Sequence, residues 1–204
     1  RRAAGGAFDL MIDSAGVFSK VEGVRLLQTM HFERLLFAEE VVNADTPDDL
    51  VALRHACPSV PVAAGERLAT RWAFREWLER GAVDVIQPDV CHCGGIGEIL
   101  RIASFAETYN VRVAPHNPYG PVALAACMHV CAVMPNFLIL EHCRHEPWAS
   151  NAAPLRPIVY HGCVELNDRP GLGVELDWDF VEAHPYSPLP PNPPRDSWGS
   201  LPGI

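Results

Sequence analysis

Short apolar runs recur along the chain at residues 8–13, 35–40, 60–66, 83–89, 112–116 and 137–142. Each has strand length and is nearly continuous in apolar side chains, the pattern of a strand buried on both faces. Between the runs the apolar positions follow a helical period. Trp72, Ala73, Phe74, Trp77 and Leu78 are assigned to one helix face, and Ile96, Ile99, Leu100, Ala103 and Ala106 to another. Thr46-Pro47-Asp48-Asp49 reads as a helix start, with Thr46 as N-cap, proline at the first position and two acids at the positive end of the helix dipole.

Strands that alternate with helices predict parallel pairing, and six such units against the eight of a closed barrel predict an α/β fold, a partial (β/α) TIM-type barrel. An open doubly wound sheet is the alternative, but no Gly-x-Gly-x-x-Gly follows the first strand. Gly94-Gly95-Ile96-Gly97 opens a helix and reads equally as an anion seat or as a tight turn. After residue 142 the alternation stops. Residues 157–164 and 174–176 are short strand candidates, and Gly171-Leu172-Gly173 is a turn. Residues 185–204 are rich in proline, serine and glycine, as in a surface wrap or a disordered tail. The expected organisation is a barrel region over residues 1–150 and a C-terminal extension over residues 151–204.

A length of 204 residues, 49% hydrophobic, has room for one domain or most of a larger one. The formal charge of −9 argues against nucleic-acid binding, which needs a basic face. It excludes little about the substrate, because a bound cation reverses the local field of an acidic pocket. The longest apolar stretch, residues 122–134, contains His129 and is too short to span a bilayer. The first residues do not resemble a secretory signal, and the chain starts with Arg1 rather than methionine, as if in mid-protein. Seven cysteines without a Cys-x-x-Cys pair indicate a reduced, cytoplasmic protein. Cys91-His92-Cys93 has the wrong spacing for a structural zinc loop.

Each predicted strand ends on or near an ionisable residue: Asp13, Glu39, Glu66, Asp89, His116 and Glu141, at intervals of 26, 27, 23, 27 and 25 residues. Parallel strands would gather all six at the C-terminal rim, where barrel enzymes keep their chemistry. Three carboxylates on successive strands, Asp13, Glu39 and Glu66, repel one another unless a cation lies between them, and all-oxygen ligation points to Mg2+. Asp89 next to His116 fixes one imidazole nitrogen and leaves the other as a general base. Glu141 is placed to donate or accept a hydrogen bond opposite that base. A metal facing a His–Asp base suits removal of a proton next to a carboxylate.

Phe37-Ala38-Glu39-Glu40, Ala64-Gly65-Glu66-Arg67, Gln87-Pro88-Asp89, Gly94-Gly95-Ile96 and Ala114-Pro115-His116-Asn117-Pro118 resemble the barrel motifs of the mandelate racemase branch of the enolase superfamily. The likeness is to its galactonate dehydratase-like acid-sugar dehydratases, and it runs from about residue 7 to 142. It implies Asp13, Glu39 and Glu66 as Mg2+ ligands, Asp89 and His116 as the base dyad, and Glu141 as the electrophilic partner. It also implies a small-molecule sugar-acid substrate and a homo-oligomer in the complete protein. Two departures stand out. Relatives carry Asp-x-His where this chain has Asp13-Ser14-Ala15, so the acid for the leaving hydroxyl is missing. The usual Glu-Glu-Pro is Glu39-Glu40-Val41. The family's N-terminal capping domain and first two barrel strands are not in this sequence.

The expected activity is therefore sugar-acid dehydration. Racemisation or epimerisation on the same scaffold, or a truncated non-catalytic relative, are the alternatives. His129 and His142 read as structural, and His31, His55, His145, His161 and His184 as surface or loop residues. Arg67 is a partner for either the acidic cluster or a substrate carboxylate.

Overall fold

In the computed structural model, residues 3, 5–143 and 147–186 are described. The alternating part comprises β1 (Met11–Asp13), α1 (Lys20–Met30), β2 (Phe37–Glu39), α2 (Pro47–Ala56), β3 (Val62–Ala64), α3 (Thr70–Glu79), β4 (Val85–Ile86), α4 (Ile96–Glu107), β5 (Arg112–Val113) and α5 (Pro121–Cys131). The five strands pair in parallel in chain order, each with the next. A doubly wound sheet must reverse its strand order at a switch point; this one does not. The fold is α/β, an arc of a (β/α) barrel.

The expected sixth strand, residues 137–142, does lie along β5. Val113 donates to the Asn136 carbonyl at 3.0 Å, and Leu138 donates back to the Val113 carbonyl at 2.8 Å. Only a single parallel bridge, Val113 to Phe137, forms. One further bond follows, from the Glu141 N–H to the Pro115 carbonyl at 3.4 Å, and among the described residues no strand pairs with its other side.

Side chains alternate across the strands as the two-residue period requires. Ala38, Val62, Ala64, Ile86 and Val113 face outward onto a layer filled by Leu27, Leu50, Leu53, Phe74, Ile99 and Ile102. Phe37, Ala63, Val85 and Ala114 face the barrel interior as a smaller cluster. Glu39 shares the inward parity of Phe37. α3 buries Phe74, Trp77 and Leu78, but Trp72 is 67% exposed, contrary to expectation. Positions 72 and 74 are about 200° apart around a helix, so they cannot share a face. The Arg71 guanidinium covers the Trp72 ring instead, 5.2 Å from its centroid. Ile96, at the first position of α4, is likewise exposed. α2 starts at Pro47 as expected, yet the Thr46 side chain makes no capping bond.

Beyond the barrel come α6 (Trp148–Ala152), β6 (Val159–Tyr160), β7 (Cys163–Val164) and α7 (Trp178–Ala183). The strand expected over residues 157–164 is in fact an antiparallel hairpin, because His161 and Gly162 both take positive φ and reverse the chain. Glu175 pairs with Leu155 in one antiparallel bridge, and the 171–173 turn closes through Gly173 N–H to the Pro170 carbonyl. His145 and residues 187–204 of the proline-rich tail lie outside the described residues. Among the described residues no helix is long and apolar enough to cross a membrane.

One glycine carries the aim of a rim carboxylate. Gly65, just before Glu66, has φ +129°, and a Cβ there would sit 2.9 Å from Phe74 Cε1. Gly65→Ala is expected to destabilise the protein by about 3 kcal/mol through strain and overpacking. Gly97→Ala, inside α4 with only Arg101 Nη1 near (3.8 Å), is expected to stabilise by roughly 0.5 kcal/mol. Urea unfolding of the two variants checks both signs.

Candidate active site

All six ionisable residues singled out in the sequence lie at one rim, at or just beyond the C-terminal ends of their strands. Asp13 is in register with Glu39, and Asp89 with His116. Near the start of β4, toward the opposite rim, the chemistry is structural: Asp84 accepts from Arg54 Nε at 3.0 Å and from the Val62 N–H at 2.9 Å, tying α2 to the sheet.

Asp89 and His116 form the best-defined pair. Asp89 is fully buried, and its Oδ2 lies 2.7 Å from His116 Nδ1. Its Oδ1 accepts from the Cys91 N–H at 2.6 Å. A buried carboxylate accepts hydrogen bonds and cannot donate them, so Nδ1 of His116 carries a proton and Nε2 is left for other partners. Nε2 faces the other acids, 3.3 Å from Glu66 Oε2 and 4.0 Å from Glu141 Oε2.

The remaining carboxylates crowd one another. Burial pushes Glu39 up to about 7; a hydrogen bond from Gln87 opposes this, and Asp13, Glu141 and Glu66 add to it. Each of the others has taken a local donor. Asp13 Oδ1 accepts from the Ala15 N–H at 2.8 Å, Glu66 pairs with Arg67 Nη2 at 2.9 Å, and Glu141 Oε2 accepts from the Asn117 N–H at 2.8 Å. Among the described residues, no three His, Cys, Asp or Glu side chains are gathered tightly enough to hold a metal ion as they stand. Asp13, Glu39 and Glu66 share a rim but not one coordination sphere, because like charges separate toward nearby donors. The barrel mouth beside Asp13 and Glu39 holds a cavity of about 360 Å³, lined by Asp13, Glu39, Gln87, Glu141 and His142 together with the apolar side chains of Met11, Ile12, Phe37, Ala114, Ile139 and Leu140. Acceptors outnumber donors here: Gln87 Oε1 is buried with no donor, as is Asn117 Oδ1 beside Glu141. An oxygen-rich, donor-poor mouth fits a hard cation.

Several participants were not read from the sequence. Glu40, next to Glu39, is buried and takes a positive φ of 35°; it is held by Arg67, which thereby bridges Glu40 and Glu66. Burial raises the Glu40 pKa, Glu66 raises it further, and Arg67 opposes both. Gln87 and Asn117 stand inside motifs already singled out, and their amides were the available signal. His142, read as structural, is exposed and lines the mouth. His129 does have a structural contact, its Nε2 lying 3.4 Å from the Leu172 carbonyl. Cys93 is buried, which pushes its thiol up to about 12, so it is not a ready metal ligand. Gly94 and Gly95 both take positive φ ahead of α4, and Glu98 in its first turn reaches across to α3, accepting from the Arg71 N–H at 2.9 Å and pairing with its guanidinium at 2.7 Å.

A family profile described as "Enolase C-terminal domain-like" matches residues 1–180. D-galactonate dehydratase of Xanthomonas oryzae pv. oryzae is 37% identical over 189 residues, covering 89% of this chain and 49% of the relative. The chain thus spans about half the length of the curated relatives it matches. A mandelate racemase/muconate lactonizing enzyme from Sulfitobacter sp. superposes with TM-score 0.87 at 36% identity, over 92% of this chain and 47% of that one. An enolase from Agrobacterium radiobacter, bound to sodium and L-malate, superposes with TM-score 0.84 at 32% identity, over 95% and 53%.

The Glu40–Arg67 pair yields a direct test. Glu40 is almost wholly buried, whereas Arg67 is 59% exposed, so solvent weakens the pair. Arg67→Ala is expected to cost about 2 kcal/mol, mostly from stranding a buried charge. In a Glu40→Gln background the same change is expected to cost under about 1 kcal/mol, a non-additivity that a double-mutant cycle measures.

Proposed function

The chain belongs to the enolase C-terminal domain-like family, and on that premise we propose that it is the catalytic barrel portion of a Mg2+-dependent dehydratase of aldonate-type sugar acids. The observation that carries this reading is the orientation of His116. Its Nδ1 is held by buried Asp89 at 2.7 Å, and its Nε2 is aimed into the carboxylate rim. In this reading Nε2 takes the proton from the carbon next to the substrate carboxylate. Asp89 fixes the tautomer and offsets the positive charge that His116 gains. Glu141, anchored by Asn117, bonds to the substrate across from the base. Asp13, Glu39 and Glu66 would hold Mg2+, which when bound supplies positive charge to a substrate carboxylate as negative charge builds on it. The donor-poor mouth supports a cation, and the sodium and L-malate bound to the Agrobacterium enolase support a cation together with a hydroxy-acid.

A second reading, epimerase or racemase, is favoured by Ala15. This residue has no proton to give, and its N–H is already donated to Asp13. A positioned general acid typically contributes ~10²–10⁴-fold, so hydroxide departure without one is slow. The alternatives separate in D2O, by following α-proton exchange and keto-acid formation on sugar acids with the complete protein. His116→Ala is expected to abolish exchange; undiminished exchange in that variant would remove His116 from the role. Ala15→His is expected to raise keto-acid formation at least about tenfold if dehydration is the reaction and the acid is limiting. Ala15 has φ +47°, a conformation that histidine adopts more readily than most residues, so the substitution adds little strain. Exchange without product in both proteins would favour the epimerase.

A further inference from the structure

The loop after β3 carries Glu66, the loop after β4 carries Asp89, and the two loops are bonded to each other. Asp89 holds His116 Nδ1 at 2.7 Å through its side chain, while its carbonyl accepts from the Cys93 N–H, also at 2.7 Å. The Cys93 carbonyl in turn accepts from the N–H of Thr70, the first residue of α3, at 3.0 Å. Two residues before Thr70, the Leu68 N–H donates to the Gly65 carbonyl at 3.1 Å and closes the turn that presents Glu66. A series of short links thus runs from His116 to Glu66, whose Oε2 lies 3.3 Å from His116 Nε2.

The junction is strained, and it is clamped from outside. Thr70 has φ +63°, a left-handed conformation that β-branched residues rarely adopt. Ala69, at the cap position of α3, has no side-chain acceptor, so the Arg71 N–H in the first turn needs one from elsewhere. Glu98 supplies it from the first turn of α4. Its Oε1 accepts from the Arg71 N–H at 2.9 Å, and Arg71 Nη1 reaches both carboxylate oxygens, at 2.9 and 2.7 Å. Arg101 Nη1 adds a longer contact at 3.3 Å. The Glu98 side chain is only 10% exposed, so water competes little for these bonds. The glycines before α4 fit the same device: at Gly94, with φ +116°, a Cβ would sit 3.1 Å from Glu98 Cβ. We propose that Glu98 is a positioning residue. By clamping the start of α3 to the start of α4 it fixes the Thr70–Cys93 junction, and with it the separation of Glu66 from the His116 base. The proposal rests on His116 as the base and Glu66 as a cation ligand. In that reading the cation holds the substrate that His116 deprotonates, so their spacing sets the reacting geometry, where a 1 Å error costs about 10²-fold in rate.

The test uses the complete protein, with α-proton exchange kinetics on sugar acids, Mg2+ calorimetry and thermal unfolding. Glu98→Ala is expected to lower kcat about tenfold, as loss of an orienting partner does. KM and the Mg2+ dissociation constant are each expected to stay within about threefold of native, since every group that touches cation or substrate remains. Glu98→Gln keeps an acceptor for the Arg71 N–H and is expected to recover most of the rate. Arg54→Ala, which breaks the tie between α2 and the sheet toward the opposite rim, is the control for stability. It is expected to lower Tm but to leave kcat within about twofold of native. Should Glu98→Ala not fold, Glu98→Asp decides: it keeps the charge, shortens the reach by one methylene, and is expected to lower kcat about threefold or more. Native kcat in a folded Glu98→Ala or Glu98→Asp would overturn the clamp. An equal fall of kcat in Arg54→Ala would also overturn it, by reducing the effect to general stability. Exchange that persists in His116→Ala would instead overturn the base, a failure separate from that of the clamp.

Discussion

Four carboxylates, Asp13, Glu39, Glu66 and Glu141, are delivered to one rim by strands that all run the same way, and the rest of the site is arranged around that concentration of negative charge. Separate acids on a surface would be solvated singly. Here a parallel sheet holds their backbones close, so the side chains part only as far as nearby donors draw them, and burial of Glu39 strengthens its repulsions. The protein's own answers are visible. Arg67 spans Glu40 and Glu66, the Gln87 amide is turned to Glu39, and backbone N–H groups of Ala15 and Asn117 are committed to Asp13 and Glu141. These donors do not exhaust the acceptors, and the imbalance is what a bound cation would correct.

The two regions of the arc divide stability from chemistry. Near the start of β4, Arg54 and Asp84 bond helix to sheet, and Phe74 packs among the apolar side chains of the outer layer. At the other rim, conformations that a stability optimum would avoid are tolerated: positive φ at Ala15 and Glu40, and buried acceptors without donors. Phe74 links the two regimes. It fills the outer layer and leaves no room for a Cβ at Gly65, the residue before Glu66.

Strand order and the placement of Asp13, Glu39, Glu66, Asp89, His116 and Glu141 were legible in the sequence because both follow from one repeat, a strand and a helix of nearly constant length. Features that depend on three-dimensional neighbours were not. Trp72 was assigned to the apolar face of its helix together with Phe74, yet its angle around α3 puts it on the exposed side. Thr46 has a capping residue's identity without making the bond. Residues 137–142 carry a strand's pattern, yet they form a single bridge with β5 and not a ladder. Arg71 and Glu98 lie 27 residues apart in sequence, and nothing in the residue pattern links them. The oxygen-ligand reading of the three acids came from charge alone, which sets what must be neutralised but not where each side chain rests until it is.

The central claim, that this rim is built to hold a cation, is tested most directly by calorimetric titration of Mg2+ into the complete protein and its Glu39→Gln variant. Burial raises the Glu39 pKa and Asp13, Glu141 and Glu66 add to it, so a cation among these acids should depend on Glu39. The account expects the native protein to bind Mg2+ and Glu39→Gln to bind at least about tenfold more weakly, the scale expected for loss of a charged oxygen ligand. Equal affinity in the two proteins would contradict it.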